Sequence, residues 1–168
     1  MNDSADTPDR IQKKITLRAP QSRVWQAVSD AKKFGSWFGV DFEGPFVAGR
    51  SLHGRMRPTE VDAEVAELQE AHRGKAFDWS VEKIEPESRI VFRWHPFAIE
   101  PDVDYSKEPT TQIVFELRTI PEGTELTITE SGFSKIPLER RAKAFAANEG
   151  GWQYQTKLLE KYLQIHGA

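Results

Sequence analysis

The stretch from Pro137 to Ile165 limits what this chain can fold into more than any other. In it Trp152, Gln155, Thr156, Leu159, Tyr162 and Leu163 recur at steps of three and four, which places them on one side of a helix. A helix with one such face draws most of its stability from burying that face, and the segments before it read as the strands of a sheet. Pro137 suits a first helical position, where its missing N–H costs nothing, and Glu139 complements the positive end of the helix dipole. Gly167 is the stop signal. Gly150 and Gly151 weaken the interior by about 1 kcal/mol each relative to Ala. Either the helix kinks there or another group approaches its backbone closely.

Upstream, the periodicity changes to two. Ile11, Ile15, Leu17 and Ala19 share one face of a first strand, with Lys13 the one charged residue on that side. Pro20 opens a short helix carrying Val24, Trp25, Ala27 and Val28, and Asp30 to Phe38 forms a second, ended by Gly39. Short alternating segments then predict strands over Phe42–Phe46, Ser51–Arg57, Ala76–Ile84, Ile90–Trp94, Thr111–Ile120 and Glu125–Ser131, with Pro121-Glu122-Gly123 as a hairpin turn. With the first strand these make seven. The acidic segment Thr59 to Arg73 is a helical or looped insertion, and Pro96 to Pro109, which contains Tyr105, is a long connection of the kind that more often carries function than not. The expected architecture is α+β: a seven-stranded antiparallel sheet curved around a long C-terminal helix, with two short helices after strand one. Residues 1–10 read as a polar leader and 11–166 as a single domain.

Composition excludes several functions. Lys and Arg number 23 against 26 Asp and Glu, interspersed, for a net charge of −3, so there is no basic stripe for a phosphate backbone and nucleic acid is not an expected partner. The absence of cysteine removes disulfides, thiol nucleophiles and thiolate-held zinc or iron–sulfur centres. No signal-like or membrane-spanning run occurs, so the expectation is a cytoplasmic protein without a membrane partner. Nucleophile elbows, zinc-binding helices and glycine-rich phosphate loops are absent, and no cofactor, metal or catalytic residue is assigned.

Candidate binding residues come from phase and position. On the last strand Leu126 and Ile128 point inward, and Glu130 continues that series; buried there, it needs an Arg, a His or a ligand donor as partner. His95 follows Trp94 at a strand end and precedes Pro96, at the mouth of any cavity between sheet and helix. His53 and His95 lie on strands that could face each other, but a structural histidine is the commoner case. Trp37, Trp79, Trp94 and Trp152 are candidate walls, joined by Phe77 on the face of Trp79 and Val81, and by Phe115 between Ile113 and Leu117. Arg55 and Arg93 are anchors for an anionic ligand only if their strands turn them inward.

Ala19-Pro20-Gln21-Ser22-Arg23-Val24-Trp25-Gln26-Ala27-Val28 and Trp37-Phe38-Gly39 resemble the opening of proteins similar to the C-terminal domain of the activator of the ninety-kilodalton heat-shock protein ATPase. Pro45-Phe46 with Gly49, Phe92-Arg93-Trp94-His95-Pro96, Thr124 to Phe133 ending Glu-Ser-Gly-Phe, and Gly151-Trp152 with Leu159 and Leu163 extend the resemblance from Ile11 to Leu163. Arg50 stands after Gly49 where the family commonly has a second glycine. These relatives belong to the START, polyketide cyclase and birch-pollen-allergen superfamily. The resemblance implies the helix-grip fold with an internal cavity.

Members of that superfamily bind lipids, sterols, aromatic polyketides or hormones in the cavity. With the aromatic-lined arrangement of sheet and helix and the lack of a catalytic constellation, the expected function is binding of a small hydrophobic or aromatic ligand, bearing an acid or hydroxyl that meets His95, Glu130 or an arginine. One alternative is a stand-alone cochaperone-like interaction module. The eukaryotic cochaperone carries an additional N-terminal domain where this chain has ten polar residues, which weighs against chaperone ATPase activation. Another is a cyclase- or hydrolase-type enzyme with His95 or Glu130 as general acid or base. An iron–sulfur reductase, an activity attributed to some relatives, is excluded by the lack of cysteine. An exposed edge strand leaves a homodimer possible.

Overall fold

The computed structural model describes residues 9–96 and 104–166. Within them the chain runs β1 (Arg10–Leu17), α1 (Gln21–Ser29), α2 (Ala31–Phe38), β2 (Val40–Phe42), β3 (Arg50–Met56), α3 (Ala63–Gln69), β4 (Ala76–Glu85), β5 (Arg89–Trp94), β6 (Thr111–Ile120), β7 (Gly123–Ser131) and α4 (Leu138–Ile165). The strands form one antiparallel sheet in the order β1-β7-β6-β5-β4-β3-β2, so the first strand closes against the last and β2 is the far edge. The fold is the expected α+β arrangement.

Strand alternation makes one face of this sheet apolar, and register lines its residues into rows. One row runs Val81, Phe92, Ile113, Glu130, Ile11 across β4, β5, β6, β7 and β1, all buried. Four of its members are hydrocarbon and one is a carboxylate, so the phase argument for Glu130 holds. The next row runs Ile84, Ile90, Phe115, Ile128, Lys13, and ends on the half-buried lysine at the β1 edge. Against this face α4 buries Ala144, Trp152, Thr156, Leu158, Leu159, Tyr162 and Leu163. Leu158 lies beside the face read from the sequence and widens it.

Local chemistry shapes the helical pair. The Asp30 carboxylate accepts the Lys33 N–H at 3.0 Å as the N-cap of α2, and Gly39, at φ 98°, ends that helix in the left-handed region. Gly35 allows α2 to lie on β2 at backbone contact, since a Cβ there would stand 2.0 Å from the Val40 carbonyl oxygen. These contacts place Phe34, Trp37 and Phe38 in the core.

Several boundaries differ from expectation. The strand predicted over Phe42–Phe46 is Val40–Phe42, because Gly44-Pro45 cannot continue a ladder, although Phe46 still packs into the core. Asp9 and Arg10, assigned to the leader, are structured: Arg10 begins β1, and the Asp9 carbonyl accepts the N–H groups of Gly132 and Phe133. The rest of the leader, 1–8, and the stop at Gly167 lie outside the described residues. Pro137 caps α4, which starts at Leu138. The helix is continuous through Gly150 and Gly151, and an added methyl at either would meet nothing within 4 Å, so no group approaches there. The acidic insertion contains α3 and a 3-10 turn, Glu70–His72, with no buried residue in either. Of the Pro96–Pro109 connection, 97–103 lie outside the described residues, and Tyr105–Lys107 forms a 3-10 turn.

Candidate functional site

Glu130 is fully buried where the ends of β5, β6 and β7 meet the first half of α4. The Trp94 indole N–H donates to Oε2 at 2.6 Å, and the Thr111 hydroxyl donates to the same oxygen. From the helix, the Trp152 indole N–H donates to Oε1 at 2.8 Å, and the Asn148 amide reaches Oε1 at 2.9 Å and Oε2 at 3.0 Å. Each oxygen therefore receives at least two donors, which matches the acceptor capacity of a carboxylate. No lone pair is left to take a proton from a substrate. The expected Arg or His partner is not among these groups: the donors are two indoles, an amide and a hydroxyl, all neutral. Numerous hydrogen bonds to the charged form replace the water lost on burial.

The carboxylate thereby orients an aromatic wall. Trp94 comes from the sheet and Trp152 from the helix, with ring centroids 5.8 Å apart. Phe77 and Trp79 lie 5.8 and 6.0 Å from Trp94, and Phe115 lies 5.8 Å from Trp152. Trp79 stacks on Phe92 at 3.9 Å with an interplanar angle of 8°, and Phe42 covers its other side at 5.6 Å and 14°. Trp37 stands apart from this group: it packs on Phe34 at 4.6 Å, and its indole N–H donates to the Ala27 carbonyl at 2.9 Å, joining α2 to α1. Six of the sequence candidates, Phe77, Trp79, Trp94, Phe115, Glu130 and Trp152, thus form one connected group.

Among the described residues, three buried side-chain atoms have no hydrogen-bond partner: Trp79 Nε1, Gln155 Oε1 and His95 Nδ1. His95 follows β5, with Asp104 near enough for the imidazole to help hold that carboxyl below the ordinary aspartate range, after the larger effect of the Ser106 hydroxyl and N–H. His53 does not meet His95, since β4 intervenes between β3 and β5; it is exposed and paired with Asp78 at 2.7 Å, which raises its pKa. Neither candidate arginine points inward. Arg93 bonds Glu82 at 2.8 Å, and the exposed Arg55 reaches the Gly74 carbonyl at 3.4 Å. Among the described residues no group of three or more His, Asp or Glu side chains is arranged to hold a metal, and no helix is long and apolar enough to cross a membrane.

Beside this group, Arg140 of α4 joins both stems of the β5–β6 connection. It bonds Glu108 at 2.6 Å and the Pro96 carbonyl at 3.2 Å, and its guanidinium lies 4.9 Å over the Tyr105 ring. A groove of about 730 Å³ opens between α2, the β2 region and the end of α4, lined by residues including Lys33, Phe42, Arg57 and Tyr162. It meets the aromatic group through Phe42, which stacks on Trp79.

Sequence reasoning missed Thr111, Asn148 and the orphaned atom of Gln155. Thr111 lies two residues before Ile113, in the same strand phase, and Asn148 lies four before Trp152, on the same helical face. Both positions carried a signal. The partnerless state of Gln155 carried none, because it depends on what the sheet fails to offer.

The same architecture occurs in solved structures. A protein from Arthrobacter aurescens, determined by NMR in solution, superposes with a TM-score of 0.71 at 18% identity, over 94% of this chain and 87% of that one. The Aha1 dimer from Colwellia psychrerythraea gives 0.63 at 18% identity, over 93% and 96%. DynU16, from the dynemicin biosynthetic locus, gives 0.66 at 24% identity over 95% of this chain, which spans 49% of its length. At these identities the likeness establishes the fold. No curated protein matches the sequence. The model of the family described as Activator of Hsp90 ATPase homolog 1-like protein matches residues 18–164, and the chain belongs to that family.

Proposed function

We propose that the chain binds a small hydrophobic or aromatic molecule between the sheet and α4, against the wall of Phe77, Trp79, Trp94, Phe115 and Trp152, with His95 at its mouth and Trp37 behind it. The observation that carries this reading is the Glu130 carboxylate bonded to an indole of the sheet and an indole of the helix. A buried carboxylate is an expensive way to hold a core together, since apolar side chains of the same volume are often equally stable. What it adds is orientation. It fixes two large π faces that hydrophobic packing alone leaves free to repack. Family membership supports the same reading, because the fold class is one in which hydrophobic ligands are commonly bound.

The test is native mass spectrometry of gently purified protein, followed by a thermal-shift screen of neutral and acidic aromatic compounds. A ligand present at about 100 times its dissociation constant adds about 2.7 kcal/mol to stability, readily seen as a raised Tm. A co-purified mass or a clear shift is expected. Neither mass nor shift would overturn the reading.

The family description and the dimer formed by the Colwellia protein favour a second reading, an interaction module that pairs with itself or with a chaperone. Sedimentation at micromolar concentration tests self-association. An unchanged chaperone ATPase rate at saturating protein would remove the other partner. A cytoplasmic location belongs to both readings, and fractionation of cells tests it.

A further inference from the structure

Two of the partnerless atoms belong to side chains that border one residue. Phe38 links them: its ring lies 6.2 Å from that of Trp79 and 6.1 Å from that of Trp152, and its carbonyl accepts the Gln155 amide N–H at 3.2 Å. Gln155 therefore spends its donor on the backbone of α2 and leaves its oxygen buried without a partner, three residues beyond Trp152 on α4. Trp79 is 3% exposed, held between Phe92 and Phe42, and its N–H is likewise buried without a partner. A buried polar atom without a partner is rare in a native core and calls for an explanation. Here the two have opposite roles. An indole N–H only donates, and an amide oxygen only accepts.

We infer that the ligand is a neutral, hydroxyl-bearing hydrophobe, a phenol or an alcohol, whose oxygen accepts from Trp79 Nε1–H and whose O–H donates to Gln155 Oε1. This rests on the ligand-binding reading above and narrows it. A hydroxyl supplies an acceptor and a donor from one atom, so it complements both orphans. A carboxylate supplies only acceptors: it would leave Gln155 unmatched and set its charge near Glu130, which is held by neutral donors alone. The arginines considered as anchors do not compensate: Arg93 is engaged with Glu82 and Arg55 is exposed, and Arg140 is engaged with Glu108. A bare hydrocarbon leaves both orphans as they are. Sites built to bond a hydroxyl discriminate strongly against analogues that lack it.

The experiment compares 2-naphthol, naphthalene and 2-naphthoate at neutral pH, by quenching of intrinsic tryptophan fluorescence and by titration calorimetry. Expected is binding of 2-naphthol about a hundredfold tighter than naphthalene, at about one tenfold step for each of the two hydrogen bonds lost, and at least about tenfold tighter than 2-naphthoate, which loses the bond to Gln155 and carries a charge. In Gln155→Leu the preference of naphthol over naphthalene shrinks while naphthalene binding persists. Trp79→Phe gives the same loss of preference with the aromatic surface retained. Naphthoate binding as tightly as naphthol, or an unchanged preference in Gln155→Leu, overturns the inference and leaves the ligand-binding reading standing. If none of the three binds, that reading falls and the inference with it. The wild-type series is informative even where a variant fails to fold.

Discussion

The two polar places inside this core are built in opposite ways. Around Glu130, every lone pair of the carboxylate has a donor, drawn from β5, β6 and α4. One turn further along α4, Gln155, and on β4 Trp79, each keep a buried polar atom without a partner among the described residues. A matched polar cluster stiffens the elements that supply it, whereas an unmatched pair is a standing cost that a molecule from outside can remove. The first place is structural reinforcement and the second is chemical specification. They share an aromatic wall, since Trp94 bonds Glu130 and its ring lies 6.0 Å from that of Trp79.

Removing the matched anchor breaks the comparison with the largest effect. Glu130→Ala strands two indole N–H groups, an amide and a hydroxyl in a dry interior and leaves a cavity, for an expected loss of roughly 4 kcal/mol. Chemical denaturation of the variant measures it, with a lowered midpoint and an unchanged slope. Glu130→Gln keeps the volume but turns an NH2 toward other donors, so it should recover only part of the loss. A loss below about 1 kcal/mol for Glu130→Ala would mean that the donors find other partners easily, and the distinction between the two places would collapse.

The strap beside the anchor is next in size. Arg140 and Glu108 are only 17% and 15% exposed, so their pairing at 2.6 Å is shielded from water more than any ion pair on the outer faces. Arg140→Met leaves the Glu108 carboxylate partly buried without its cation and loosens the stems of the β5–β6 connection, for roughly 2 kcal/mol. Hydrogen exchange at Glu108, Thr110 and Thr111 is the direct readout, and it should quicken there before it does in β3. By contrast, Arg73→Ala, at an exposed pair with Glu70, should leave the denaturation midpoint nearly unchanged.

Asp9 holds the turn that follows Glu130 and brings pH into the comparison. Its carboxylate is bonded by Ser134, hydroxyl and N–H, and by the Gly132 N–H, which together lower its pKa below the ordinary aspartate value. A carboxyl depressed on folding contributes stability that is complete above its unfolded pKa, about 4, and is lost as pH falls through the lower folded value. Asp9→Asn should therefore remove part of the acid sensitivity below about pH 4, with an effect at neutral pH of only a few tenths of a kcal/mol, roughly, because the group is largely exposed. Thermal melts of both proteins across that range check it, and parallel curves would show that the Asp9 contacts do not survive in solution.

How much of this was legible before the structure depended on which distances matter. Glu130 was legible because strand phase is local: Leu126, Ile128 and Glu130 must point the same way whatever surrounds them. Its partners were not, since the sequence suggests Arg or His for a buried carboxylate, and the neutral set used here exists only once β5, β6 and α4 are brought together. The α4 face was legible from Trp152 to Leu163, yet the turn at Asn148 was hidden by Gly150-Gly151, which look like an interruption and are simply helix exposed to solvent. The short β2 was misjudged in length because Phe46 continues the apolar pattern past Gly44-Pro45 without continuing the ladder. Orphaned atoms lie beyond sequence reading altogether, because a missing partner is a property of the whole packing.

The smallest expected change separates the two places most sharply. Gln155→Leu removes one unmatched acceptor and, with it, a single hydrogen bond of 3.2 Å to the Phe38 carbonyl. Losing that bond costs about 1 kcal/mol, and relieving a buried oxygen that has no donor returns about as much. The net shift in stability of the free protein should lie within about 0.5 kcal/mol of zero, where Glu130→Ala shifts it by several. The same substitution should weaken binding of a hydroxyl-bearing ligand, so stability and affinity respond to different positions on one helix. Should Gln155→Leu instead destabilise the free protein as strongly as changes at Glu130, Gln155 would be part of the matched framework, and its oxygen would have a partner inside the fold.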